Sequence, residues 1–144
     1  MLRITKIFHF EMAHAIYGYN GACQHIHGHS YKLYVTLTSS ERGRDYIVAP
    51  GFLFDFKDLK ELVNAAVVKK LDHKLVLSRA YLSDKPGFVL PENLYVWDVE
   101  PTAENILVFS QMAIREKLPP GLKLNELKLY ETVNSYAEWI NDRV

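Results

Sequence analysis

The sequence predicts an α+β domain in which helices cover one face of an antiparallel sheet. Two stretches near the N-terminus alternate apolar and polar residues, which is typical of strands with one buried face. Two later stretches carry apolar residues at helical spacing or a helix-capping residue. A chain of 144 residues that is 49% hydrophobic has the size of one compact domain, so we expect residues 1–144 to fold as a single unit.

Both predicted strands carry histidines on their apolar faces. The first strand runs from Ile4 to His14, and His14 continues a face whose earlier even positions are apolar. The second runs from His27 to Leu37, and His27 and His29 share the face of its apolar odd positions. The apolar positions are Phe8, Phe10 and Met12 in the first strand and Tyr31, Leu33, Val35 and Leu37 in the second.

The middle of the chain predicts a short strand, a long helix and a long connection. The run Phe52-Leu53-Phe54 has strand character, and Asp55 can end it and cap a helix. From Phe56 to about Leu71, apolar residues recur at three- and four-residue spacing with Lys and Glu between them. The connection from Ser78 to Glu100 is long enough to need structure of its own: a hairpin, a pocket lid or part of a subunit contact.

The C-terminal third predicts one more helix and one more strand. Thr102 can accept a hydrogen bond from a first-turn amide, and the helix that it starts runs to Pro119. The last strand places Leu127 and Leu129 on one face, and Glu131 comes next on that face. A carboxylate on a buried face needs a partner.

Charge and composition exclude several classes of function. The 17 Lys and Arg residues balance 17 Asp and Glu residues, so the chain has no net positive field for nucleic acid or an anionic membrane. We therefore expect neither partner. The single cysteine cannot form an internal disulfide, and the sequence shows neither a leader nor a long apolar span. These features predict a soluble, cytoplasmic protein.

The histidines on the two strands form the most specific chemical pattern. Residues two apart on a strand point the same way, so His27 and His29 can bind one ion. Antiparallel pairing of the strands can add His14, and three imidazoles with an open position are the ligand set of a catalytic zinc site. The alternative is a set of half-buried histidines that hydrogen-bond to the backbone.

The sequence contains one thiol near these histidines, because three residues separate Cys23 from His27. A thiol close to zinc or to an imidazolium is deprotonated more readily and can act as a base or a nucleophile. An inert buried cysteine and a fourth ligand of a structural metal site are the alternatives.

Two carboxylates complete the candidate groups. Asp72 can fix the tautomer of the adjacent His73 and stabilise its charge, although a histidine that ends a helix also interacts favourably with the helix dipole. Glu131 can accept two parallel hydrogen bonds from the guanidine-like edge of a heterocycle. An ion pair with Lys or Arg is the alternative for Glu131.

Taken in chain order, these motifs resemble the family of 6-pyruvoyl-tetrahydropterin synthases and 6-carboxytetrahydropterin synthases. The resemblance extends from Phe8 to about Tyr136 and depends on the order of several motifs. The motifs are Phe10 to His14, Cys23 with His27-Gly28-His29, Asp55 before the helix, Leu71-Asp72-His73, Pro101-Thr102-Ala103-Glu104-Asn105 and Tyr130-Glu131-Thr132.

The resemblance implies the tunnelling fold, in which two helices pack on one face of an antiparallel four-stranded sheet. It also implies a homo-oligomer, usually a homohexamer of two stacked trimers. The family substrate is 7,8-dihydroneopterin triphosphate. A local positive pocket around zinc can hold this triphosphate although the chain has no net charge.

Carried over residue by residue, the resemblance implies a role for each candidate residue. It implies a Zn²⁺ ion held by three histidines, a catalytic thiolate, a proton-transfer pair and two pterin-binding residues, the second of which acts from a neighbouring subunit. In that order these are His14, His27 and His29; Cys23; Asp72 and His73; and Glu131 and Thr102.

The interval between Cys23 and His27 favours the 6-carboxy type, because the animal 6-pyruvoyl type has a longer interval. The 6-carboxy type produces 6-carboxytetrahydropterin, acetaldehyde and triphosphate, on the route to queuosine and other deazapurines. One alternative is 6-pyruvoyltetrahydropterin synthase, which keeps the three-carbon side chain attached. The other is a non-catalytic module of the same fold that contains zinc and binds a pterin or a purine.

Overall fold

A mixed sheet of six strands is the centre of the computed structural model, which describes residues 1–39 and 45–142. The strands are β1 (Arg3–His14), β2 (His27–Ser39), β3 (Lys74–Ser78), β4 (Leu94–Trp97), β5 (Leu122–Tyr130) and β6 (Tyr136–Ile140). Their order across the sheet is β4-β3-β1-β2-β5-β6.

The four-stranded antiparallel sheet expected from the resemblance is present, and two parallel strands enlarge it. Strands β1, β2, β5 and β6 pair antiparallel in that order. Strand β3 pairs parallel to β1, and β4 pairs parallel to β3. The added strands have five and four residues, which is too short for a period of two to identify them in the sequence.

Helices connect the strands, and two of them begin at the capping residues that the sequence predicts. They are α1 (Phe56–Val63), α2 (Lys69–Leu71), α3 (Arg79–Ser83) and α4 (Ala103–Lys117). A π-helical turn (Asn64–Val68) joins α1 to α2, so the predicted helix is continuous but not regular. The predicted caps are confirmed, because Asp55 accepts a hydrogen bond from Lys57 N and Thr102 accepts one from Asn105 N.

The main core lies between the sheet and the two long helical segments. It buries the even positions of β1, the odd positions of β2, and one face each of α1 and α4, as the apolar spacing predicts. Its members include Phe8, Phe10, Met12, Tyr31, Leu33, Val35, Leu37, Leu59, Val63, Ile106 and Ile114. The residues that alternate with them on β1 and β2 face away from these helices.

The two long helical segments pack on one face of the sheet, as expected, and the short helix α3, which the sequence did not predict, packs on the other face. Leu75 and Leu77 of β3 form a second apolar cluster with Tyr81 of α3. Val76, which lies between them, belongs to the main core. Both faces of β3 are therefore apolar, and the strand needs a covering element on each side.

One prediction about the segments between the main elements is wrong, and for another segment the structure excludes one of the alternatives that the sequence left open. The run Phe52-Leu53-Phe54 is not a strand; Leu53 and Phe54 pack against the main core without pairing. A run of three residues gains few ladder hydrogen bonds, so side-chain burial decides its conformation. The connection from Ser78 to Glu100 contains α3 and β4, and because β4 runs parallel to β3 the two strands do not form a hairpin.

The last predicted strand is longer than the sequence suggests. Strand β5 begins at Leu122, and a bulge shifts its register against β2 at Asn125. Leu124 and Leu127 are both buried although they are three positions apart, so the period of two is broken there. Within residues 1–39 and 45–142, no helix is long and apolar enough to cross a membrane.

Candidate active site

Three imidazole rings meet where β1 ends and β2 begins. The antiparallel register places His14 directly opposite His27, and His29 lies two residues further along the same face of β2. The ring centroids are 4.6 Å apart for His14 and His27, 4.9 Å for His27 and His29, and 5.2 Å for His14 and His29. The predicted register of the three histidines is confirmed.

Glu131 joins these rings from the end of β5. Its Oε1 lies 2.9 Å from His29 Nε2 and 3.2 Å from His14 Nε2. The ligand atoms of Glu131 and the three histidines all lie within 4.8 Å of one another. We call these four residues the His3Glu cluster. The sequence offered a heterocycle, or else Lys or Arg, as the partner of this carboxylate; within the described residues its neighbours are histidines, and binding of a heterocycle stays a prediction.

Backbone carbonyls fix the orientation of two of the rings. His14 Nδ1 lies 2.7 Å from Pro101 O, and His27 Nδ1 lies 2.7 Å from His25 O. A carbonyl can only accept, so each Nδ1 carries the proton and each neutral ring presents the lone pair of Nε2 to the cluster. This arrangement is typical of histidines that bind a metal through Nε2.

The donor set fits a divalent metal ion. The Nε2 atoms of His14 and His27 face each other at 3.1 Å, and with Nδ1 protonated both are acceptors beside a carboxylate. The Nε2 atom of His29 is buried and has no hydrogen-bond partner among the described residues, although it lies close to Glu131. Acceptors that converge in this way need a shared cation, and three imidazoles with a carboxylate suit Zn²⁺.

The electrostatics of the cluster favour the metal-binding protonation states. The contact with His14 and the nearby His29 and His27 lower the pKa of Glu131 in spite of its partial burial. Burial lowers the pKa of His29, and this effect outweighs the opposing charge of Glu131. Both groups therefore favour the form that has lost its proton, as a metal ligand must.

Cys23 lies in a 3-10 turn (Ala22–Gln24) of the loop between β1 and β2. The residue is exposed, which contradicts the alternative of an inert buried thiol. Its sulfur is not among the clustered ligand atoms of the described residues, where Glu131 supplies the fourth donor. Its backbone lies near the end of β1, because Cys23 O accepts a hydrogen bond at 2.8 Å from the N atom of Ile16, two residues after His14.

The predicted Asp72 and His73 pair forms at the end of α2. His73 Nδ1 lies 3.0 Å from Asp72 Oδ1, which also accepts a hydrogen bond from Glu11 N at 2.9 Å. That backbone hydrogen bond is the main reason that the pKa of Asp72 is lowered. The pair lies beside Glu11, three residues before His14 and thus about 10 Å away along β1.

His73 has a left-handed backbone, with a φ of 60°, which is rare outside glycine and asparagine. Two hydrogen bonds hold it there: His73 N donates to Glu11 O at 2.6 Å, and Asn93 Nδ2 donates to His73 O at 2.8 Å. A strained position that neighbouring groups maintain is typical of functional residues. The imidazole itself is exposed.

Thr102 is close to the histidines because the residue before it, Pro101, contacts His14. Its hydroxyl caps α4, and the preceding Pro101 supplies the carbonyl that accepts from His14. The start of α4 therefore fixes one ring of the cluster, which the sequence pattern did not reveal.

Comparison with known proteins relates this geometry to a family. A family model described as 6-pyruvoyl tetrahydropterin synthase matches residues 3–141. The chain is 29% identical over 143 residues to the 6-carboxy-5,6,7,8-tetrahydropterin synthase of Haemophilus influenzae, with 96% of this chain and 99% of the relative covered. It is 31% identical over 145 residues to the protein of the same name from Rickettsia typhi, with the same coverage.

The fold is similar to that of a solved member of the family. The 6-pyruvoyl tetrahydropterin synthase of Plasmodium falciparum superposes with a TM-score of 0.72 at 19% identity, and 96% of each chain is covered. This similarity confirms the predicted tunnelling fold, with its curled sheet and a few helices. Because the family model covers nearly the whole chain, the protein belongs to the 6-pyruvoyl tetrahydropterin synthase family.

Proposed function

We propose that this protein is a zinc-dependent 6-carboxytetrahydropterin synthase. In this reaction 7,8-dihydroneopterin triphosphate and water yield 6-carboxytetrahydropterin, acetaldehyde and triphosphate. The His3Glu cluster carries the proposal, because its orientation by backbone carbonyls and its protonation states suit a metal ion. Relatives that bear this name at about 30% identity over nearly their full length support the choice of product.

The proposed mechanism divides metal binding from proton transfer. Zn²⁺ bound by His14, His27 and His29 would polarise the hydroxyl groups of the substrate side chain and make the adjacent C–H bonds more acidic. Cys23 and His73 move protons on that side chain, and Asp72 holds His73 in the tautomer that can do so. The ring reaches the tetrahydro state as triphosphate leaves, and no redox cofactor is required.

The second stage cleaves a carbon–carbon bond. Water adds across the bond between the two carbonyl carbons of the side chain. The carbon attached to the ring becomes a carboxylate, and the remaining two carbons leave as acetaldehyde. The exposed position of Cys23 is compatible with acid-base work in both stages.

We propose that Glu131 anchors the pterin ring, as the resemblance implies, from its place beside the metal ligands. Its Oε1 makes both histidine contacts, and a carboxylate has two oxygens that can accept hydrogen bonds. Thr102 is proposed to join pterin binding from a neighbouring subunit. The proposal includes a homohexamer of two stacked trimers, a cytoplasmic location and a role in making queuosine or another deazapurine.

Product analysis tests the proposal directly. Purified protein is incubated with 7,8-dihydroneopterin triphosphate and Zn²⁺, and the products are identified by mass spectrometry together with an acetaldehyde assay. We expect acetaldehyde and 6-carboxytetrahydropterin in equal amounts. A tetrahydropterin that keeps its three-carbon side chain, with no acetaldehyde, would instead identify a 6-pyruvoyltetrahydropterin synthase, whose name the family model and the Plasmodium structure carry.

The second candidate is a non-catalytic module of the same fold that contains zinc and binds a pterin or a purine. The presence of Glu131 as a fourth donor favours this candidate. Three histidines with Glu131 make four ligands, which is the number in a closed structural zinc site. Cys23→Ala separates the two functions. A synthase should lose turnover by about 100- to 10,000-fold and keep its zinc. A module would bind zinc and pterin without turnover in both the wild type and the variant.

A further inference from the structure

Side-chain burial does little to hold the segment that carries Cys23. We call residues 16–26, between β1 and β2, the Cys23 loop. None of the residues in its 3-10 turn is buried, and Tyr17, Tyr19 and Ile26 are exposed. Hydrogen bonds therefore have to define the position of this loop.

Hydrogen bonds inside the loop tie Cys23 to its first residues. Ile16 N donates to Cys23 O at 2.8 Å, which closes the loop on itself. Gln24 N donates to Gly21 O, and His25 N donates to Ala22 O, both at 3.1 Å, so the turn around Cys23 is also defined. Whatever fixes the start of the loop therefore fixes Cys23.

A side chain from outside the loop binds this start. Glu100 Oε1 accepts a hydrogen bond from Tyr17 N at 2.6 Å. The backbone of Glu100 is itself held, because its carbonyl accepts from Thr102 N at 2.9 Å and from Asn105 Nδ2 at 2.8 Å. Glu100 thus connects the Cys23 loop to the start of α4 through a charge-assisted hydrogen bond.

The next residue in the chain holds a metal ligand. Pro101 O accepts from His14 Nδ1 at 2.7 Å, so two adjacent residues contact the loop and the His3Glu cluster. We propose that Glu100 is a positioning residue that holds the Cys23 thiol at a fixed distance from the metal ligands. This role rests on the proposed use of Cys23 as the catalytic thiolate. Displacement of a reacting group by about 1 Å can reduce the rate about 100-fold.

The alkylation rate of the Cys23 thiol reports how close the thiol lies to the metal. Cys23 is the only cysteine of the sequence, so iodoacetamide alkylation is specific for it. A nearby Zn²⁺ lowers the pKa of a thiol, and each unit of lowering raises the alkylation rate about threefold below that pKa. We therefore measure the ratio of alkylation rates with and without Zn²⁺, and we expect a ratio of about three or more for the wild type.

Three substitutions of Glu100 test the hydrogen bond. Glu100→Ala removes the acceptor, and Glu100→Asp keeps the charge but shortens the side chain, so both should bring the ratio close to one. Glu100→Gln keeps an oxygen at the same reach and should restore the ratio. Glu116→Ala removes a carboxylate from the exposed last turn of α4 and is the matched control. All variants should keep the zinc content of the wild type.

Steady-state kinetics give the second readout. We expect Glu100→Ala to lower kcat about 10- to 100-fold with KM within about twofold, and Glu100→Gln to recover kcat to within about threefold. A zinc-dependent ratio that is the same in the wild type, Glu100→Ala and Glu100→Asp would overturn the positioning role, even if the expected products form. Wild-type protein that shows the ratio but forms no tetrahydropterin would contradict the proposed function and leave the positioning role standing.

Discussion

The His3Glu cluster and the proposed proton-transfer groups differ in how the fold holds them. His14 is 2% exposed, and its ring is fixed by a strand pair on one side and by Pro101 O on the other. His73 is 78% exposed and lies in a turn, where hydrogen bonds fix its backbone and Asp72 contacts its ring. The proposed metal ligands are thus held by buried, paired strands of one chain, whereas the imidazole of His73 faces solvent.

This difference suggests that the strands hold the proposed metal ligands and that the loops carry the proposed proton-transfer groups. The position of a ligand on a paired strand is set by the register, which a one-residue slip would destroy for the whole sheet. Loop residues such as Cys23 depend on a few hydrogen bonds, so the loss of one of these bonds can displace the side chain at small cost in global stability. Substitutions on the strands should therefore affect metal binding, and those in the turns should affect reaction rates or local stability.

Removal of a strand ligand should have the largest effect. We expect His14→Ala to lower zinc affinity at least about 100-fold, because the two remaining imidazoles make a much weaker site than three. Zinc stoichiometry and affinity are measured by elemental analysis and by competition with a chelator. His9→Ala, an exposed histidine on the other face of β1, is the control. If His14→Ala keeps stoichiometric zinc, His14 is not a ligand, and the proposed contrast between strand residues that bind the metal and loop residues that set the rate does not hold.

The histidines of this site were predictable because they continue regular patterns. His14, His27 and His29 extend the alternation of their strands, so sequence spacing and register alone bring them together. The contact of Glu131 with the histidines was not predictable, since it depends on how β5 lies beside β2. Pro101 contacts His14 through its backbone carbonyl, and the side chain of Glu100 contacts the backbone amide of Tyr17, so no pattern of residue types encodes either contact.

The fold was predictable where elements are long and one face is buried. Strands β1 and β2 and the helices that pack on them follow periods that are visible over ten or more residues. The short strands β3 and β4 have too few residues to show a period, and the bulge at Asn125 hides the start of β5. Tertiary packing, rather than local pattern, decides these segments.

Glu131→Gln tests whether the cluster needs its carboxylate. We expect zinc affinity to stay within about threefold of the wild type, because three imidazoles hold the proposed metal, and pterin binding to weaken about tenfold, because a neutral amide replaces the proposed anchor. Glu126→Gln, also a carboxylate of β5 but one that pairs with Arg3, is the matched control. A loss of zinc affinity of about tenfold or more would instead make Glu131 a fourth ligand and favour the closed four-ligand site of the non-catalytic module.

The smallest effect should come from Asp72, whose charge stabilises an exposed turn. The hydrogen bond from Glu11 N lowers the pKa of Asp72 in the folded state, so the carboxylate stabilises the protein above its ordinary pKa of about 3.9 and this stabilisation is lost as the pH falls further. Asp72→Asn can still accept from Glu11 N but carries no charge. Urea unfolding at pH 5 and pH 2.5 should therefore show that the wild type loses more stability than the variant, by less than about 1 kcal/mol because solvent screens this partly exposed group.

Asp84→Asn, which alters an exposed carboxylate after α3, should lose as much as the wild type. If Asp72→Asn also loses as much, the charge of Asp72 contributes nothing to the turn, and the orientation of His73 must then depend on its backbone hydrogen bonds alone.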